Sequence, residues 1–64
     1  MHNIFEHFID KFSHEIDTVT ESLADGNFKT YEDYRYYCGV IRGLRVASTI
    51  IAEYKRNLEE AEDE

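Results

Sequence analysis

His7, Asp10 and His14 are the side chains best suited to hold a metal ion. On a helix turning about 100° per residue they fall within about 60° of one another, and imidazole with carboxylate is a zinc-type donor set. They also lie opposite the apolar side of their segment, where three flexible surface ligands lack the supporting hydrogen bonds that hold a metal centre in shape. No metal is therefore expected. Cys38 is the only cysteine, and an arginine nearby favours its thiolate somewhat. No histidine is near it in sequence, so it reads as a small, half-buried helical thiol. The chain has no Gly-x-Ser-x-Gly elbow, no phosphate-cradling glycine loop and no paired-carboxylate arrangement. The expectation is a protein with no catalytic residue and no cofactor.

A basic stripe is the remaining candidate. Arg35, Arg42, Thr49 and Arg56 recur at sevens, with Arg45 beside them, in a chain whose net charge is −7. One reading is a solvated face whose arginines pair with Glu32, Glu53 and Glu59. The other is a contact surface, because Arg and Tyr are enriched where binding energy concentrates, and Tyr31, Tyr34, Tyr36 and Tyr37 lie close by. Four tyrosines cannot all enter one apolar stripe, so at least one ring faces solvent or a partner. On that reading the partner surface is Tyr31, Tyr34, Arg35, Arg42, Arg45 and Arg56.

The elements that carry these residues follow from periodicity. Phe5, Ile9, Phe12, Ile16, Val19 and Leu23 alternate steps of four and three, with Glu6, Asp10, Lys11, Asp17 and Glu21 on other faces. This predicts an amphipathic helix over about 3–24. Gly26 or Asn27 can take the left-handed conformation that closes it, and Phe28 is expected to plug the loop end of the core. After a loop over about 25–30, the Thr30 hydroxyl can cap a second helix over about 31–60, with Glu32 and Asp33 at its positive end. Its acidic end, Glu59 to Glu64, is expected to fray.

The second helix carries two apolar seams. Tyr37, Val40, Leu44, Ala47, Ile51, Tyr54 and Leu58 form the first, and Tyr36, Gly39, Gly43, Val46 and Ile50 form the second. The short connection makes the helices antiparallel neighbours, with Ile16 meeting Val40, Phe12 meeting Leu44, Ile9 meeting Ala47 and Phe5 meeting Ile51. One first helix can cover one seam, so the other needs a second molecule. Each glycine costs about 1 kcal/mol in a helix interior, and two of them four apart mark a close approach. The visitor can be Phe8 or Phe12 of the same chain, a bound ligand, or the second helix of another copy. The third is the expectation, with Tyr36, Gly39, Gly43, Val46 and Ile50, together with the overhanging Tyr54 and Leu58, at the interface. The fold class is thus all-α: an antiparallel two-helix hairpin that oligomerises as a dimeric four-helix bundle.

Composition sets the surroundings. Sixty-four residues make one small domain that buries only about 60% of its unfolded surface, too little without a staple. A single thiol excludes a disulfide framework and fits a reducing compartment. No basic stretch leads into an apolar core in the first residues, Met1-His2-Asn3 onward. Charges also interrupt every apolar run short of the roughly 18 residues a membrane span needs. A cytoplasmic location with no membrane contact is expected, and the negative charge argues against non-specific binding to nucleic acid.

The stretch Tyr34-Arg35-Tyr36-Tyr37-Cys38-Gly39-Val40-Ile41-Arg42-Gly43-Leu44, followed by Ala47 and Ile51, resembles a group of small proteins encoded by tailed bacteriophages. In these a Tyr-x-Tyr-like start leads into a Gly-x-Ile-x-Gly-Leu core and an acidic end. The resemblance covers the second half of the chain. It implies a phage origin, a helical hairpin and a place in the virion or the host cytoplasm, and supplies no functional residue. In form the chain is also similar to the repressor-of-primer protein, a helical hairpin that dimerises into a four-helix bundle and binds RNA, although no motif matches. The functional expectation is a non-enzymatic homo-oligomeric interaction module that binds itself and a virion or host protein. The alternatives are an RNA- or DNA-binding bundle using Arg35, Arg42, Arg45 and Arg56, and an acidic inhibitor that mimics nucleic acid.

Overall fold

The computed structural model describes residues 3–62, and these form two helices joined by a six-residue connector. Helix α1, Ile4–Ala24, starts because Asn3 caps it: its side-chain oxygen accepts from the Glu6 N–H at 2.9 Å, and its carbonyl accepts from the His7 N–H at 3.1 Å. It stops at Gly26, which takes φ +77°, so that the Gly26 and Asn27 N–H groups turn back onto the carbonyls of Leu23 and Ser22, both at 3.0 Å. Of the two closing residues allowed by sequence, the one without a Cβ takes the left-handed conformation. Helix α2, Tyr31–Glu62, starts at Thr30, whose hydroxyl accepts from the Asp33 N–H at 3.0 Å. It remains helical through Glu62; Asp63 and Glu64, in the tail expected to fray, lie outside the described residues, as do Met1 and His2.

The hairpin is one helix thick. Its extents are 53 × 21 × 12 Å, and the shortest matches a helix diameter of about 10–12 Å. The radius of gyration is 15.2 Å, against about 11 Å for a rounded domain of this length. No described residue is fully buried. The half-buried ones form the contact between the helices: Phe5, Ile9, Phe12, Ile16, Val19 and Leu23 of α1 against Tyr37, Val40, Leu44, Ala47 and Ile51 of α2. The first seam of α2 is thus the one that α1 covers. Ile41, Cys38, Ser48 and Lys55 flank it, and the Ser48 hydroxyl is enclosed with no hydrogen-bond partner among the described residues.

The pairing register differs from the one that loop length predicts. Phe5 rests on Tyr54, ring centres 5.7 Å apart, where Ile51 was expected, and Lys55 Nζ reaches Glu6 at 3.0 Å. Both contacts reach about one turn further along α2 than Ile51. Phe28 is not a plug: its ring leans on Tyr34 at 5.5 Å and remains 39% exposed. Nor does Tyr54 overhang, since α1 reaches it; the unaccompanied end of α2 begins beyond Lys55.

Candidate interaction surface

Tyr36, Val46 and Ile50 are 67%, 51% and 59% exposed, so the second seam faces away from α1; Tyr54 of the first seam, although it meets Phe5, is also 56% exposed. A methyl group built on Gly39 or Gly43 would meet no atom within 4 Å. Neither Phe8 nor Phe12 fills the glycine positions; Phe8 instead stacks on Phe12 at 6.5 Å. The same-chain explanation of the glycines therefore fails, and the seam is open along its length.

Two ring and ion contacts identify the broad faces of the slab. Stepping about 100° per residue from Leu44, which points at α1, Tyr36, Gly43, Ile50 and Tyr54 turn about 80–120° to one side. Tyr54 meets Phe5 on that side. Opposite turns of the two antiparallel helices place Phe8 and Ile4 of α1 there too, 44% and 62% exposed. The other broad face carries the Glu6–Lys55 ion pair and a shallow groove walled by Thr20, Cys38, Ile41, Arg42 and Arg45. One broad face thus gathers exposed apolar side chains from both helices, with Lys11 and Glu15 of α1 among them, and the other carries the ion pair and the arginine groove. Sequence reasoning placed only α2 residues on the apolar face. Ile4 and Phe8 were missed because they lie off the first-helix seam, and their spacing of four beside it was the available signal.

The arginines sit along the outer edge and polar face of α2. A groove of about 340 Å³ is lined by Tyr31, Tyr34, Arg35, Cys38, Gly39 and Arg42, so the tyrosines, two of the arginines and the first glycine share one site. Tyr31 and Tyr34 stack with ring centres 6.2 Å apart. The Cys38 side chain, through a hydrogen bond and its charge, holds the Tyr34 phenol above its ordinary pKa, with partial desolvation and Tyr31 adding to the rise. Among the described residues Arg35, Arg42, Arg45 and Arg56 make no ion pair. The acid partner expected for them, Glu59, pairs with Lys55 at 3.4 Å instead, and Glu32 and Glu53 pair with none of them. Within positions 34–52 the three arginines are the only charged residues, so that stretch carries +3 and the remainder of the chain −10.

The metal candidates stay apart. His7 turns its ring toward Phe8 at 6.2 Å, His14 offers its carbonyl to the Thr18 hydroxyl at 3.0 Å, and no three His, Cys, Asp or Glu side chains converge among the described residues. No described helix is long and apolar enough to cross a membrane. No protein-family model, curated protein or solved structure matches the chain.

Proposed function

We propose that this chain is a non-enzymatic helical interaction module that works as a homo-oligomer, a dimeric four-helix bundle closed over the apolar broad face. The observation that carries this reading is surface. The chain exposes 5410 Å², whereas a rounded protein of 7.6 kDa exposes about 4,300 Å². The difference is about 1,100 Å², somewhat more than the roughly 800 Å² each partner gives up in a standard interface. A slab one helix thick has no second layer against which to bury Phe8, Tyr36, Val46, Ile50 and Tyr54, and a second slab supplies one. In such a bundle Tyr31, Tyr34, Arg45 and Arg56 stay outside, available to a protein of the virion or host, as the resemblance of the second half suggests.

Sedimentation equilibrium at micromolar concentration tests the assembly. The expected result is a dimer whose melting temperature rises with concentration, and Ile50→Asp should return it to monomers that lose most of their helix. A wild-type monomer with a concentration-independent melting transition would overturn the reading. RNA binding is kept as a second reading because the arginines lack acid partners among the described residues. It requires affinity for an RNA hairpin that falls steeply as salt rises, where a protein contact is less salt-sensitive.

A further inference from the structure

We propose that the two copies pair α2 against α2 in antiparallel orientation with nearly full overlap, the glycines of each receiving the bulky residues of the other. This rests on the dimer proposed above and adds its orientation and register. Full overlap places Tyr31 of one helix level with Glu62 of the second copy. Gly39 then lies level with Tyr54 of the second copy and Gly43 level with Ile50, while Val46 meets Ala47. Both glycine positions are open to 4 Å, and Tyr54 and Ile50 are more than half exposed, so holes and knobs coincide in one register. A parallel pairing sets glycine against glycine and Tyr54 against Tyr54, leaving voids at one end and crowding at the other.

Charge selects the same arrangement independently. The outer flank of the seam bears Arg35 and Arg42 in its first half and Glu53 and Glu60 in its second. Arg35 and Glu53 are 18 residues, or about five turns, apart and so share one line along the helix, as do Arg42 and Glu60. Reversing one helix brings Arg35 to Glu60 and Arg42 to Glu53, within about 3 Å along the axis of the register that the glycines select. Twofold symmetry makes four ion pairs, and they occupy arginines that have no acid partner among the described residues of their own chain. The same axis brings Lys11 of one α1 to within about a turn of Glu15 of the other, on the apolar broad face.

Cysteine pairing reads the orientation directly. With Cys38→Ser in both chains, one carries Tyr36→Cys and the other Asn57→Cys, positions level with each other only in the antiparallel register. Under mild oxidation the mixture should give a covalent dimer of the two different chains, with little self-linking of either alone. Self-linking of each variant, or no linking while sedimentation still reports a dimer, would overturn the proposed orientation. A monomer by sedimentation would instead defeat the dimer itself. In a second measurement, Glu53→Lys with Glu60→Lys should raise the dimer dissociation constant about tenfold at low salt. Adding Arg35→Glu with Arg42→Glu to that chain should restore it. Unchanged affinity in the first variant, or no recovery in the second, would refute the ion pairs.

Discussion

Replacing Gly43 by alanine sets two known effects against each other. Within one chain the added methyl meets nothing closer than 4 Å, and alanine is the better helix former by about 1 kcal/mol, so an isolated hairpin should gain stability. If Ile50 of a second copy occupies that space, the methyl forces the helices apart at an overpacking cost on the order of 1–3 kcal/mol. Symmetry presents each substituted position twice, so the cost appears twice per dimer and exceeds the gain. Gly39→Ala should act in the same direction but less, because Gly43 lies nearer the middle of the apolar broad face, whereas Gly39 is turned toward the outer groove beside Arg35 and Arg42. The assay is chemical denaturation of both variants over a range of protein concentrations, with sedimentation at each. Destabilisation at concentrations where wild type is dimeric, shrinking and then reversing as dilution turns both proteins into monomers, is the expected result. If both variants are more stable than wild type and keep its oligomeric state, the glycine seam is not an interface and the assembly proposal fails.

Ser48→Ala should stabilise the hairpin by about 1 kcal/mol in the same denaturation assay, since it removes an enclosed hydroxyl with no partner among the described residues and favours the helix. The Lys55 ammonium is held above its ordinary pKa of 10.5 chiefly by its hydrogen bond to Glu6, against an opposing desolvation. A raised folded pKa means the contribution is fully present at neutral pH and is lost as pH rises through that value, so Lys55→Met should flatten the alkaline end of a stability-versus-pH curve. Chelation should leave the melting temperature unchanged, because His7 and His14 are exposed and no three metal-ligating side chains converge among the described residues; a shift of several degrees would revive a metal role for them. Phe8→Ala should weaken the dimer on dilution, whereas a Phe8 confined to its own chain would change only concentration-independent stability.

Several features of this protein are local and could be read along the chain. Helix existence follows from three-and-four spacing, the Thr30 start from a short hydroxyl before two acids, and the stop near Gly26 from the absence of a Cβ; each involves neighbours within a turn. The presence of two seams on α2 is equally a matter of spacing. Spacing alone offers α1 two apolar seams, and the half-burial of Val40, Leu44, Ala47 and Ile51 shows which one it takes. Contacts at both ends of the hairpin were equally a matter of tertiary packing: Phe5 meets Tyr54, and Phe28 leans on Tyr34. The arginine partners also escaped sequence reasoning, since spacing says which residues are near and not which rotamers meet; Lys55, held beside Glu6, takes Glu59, and no arginine pairs with an acid among the described residues. The apolar broad face is the clearest product of tertiary structure. Phe8 and Ile50 lie far apart in sequence on different helices, and only the opposite turns of two antiparallel helices bring them to one side of the slab.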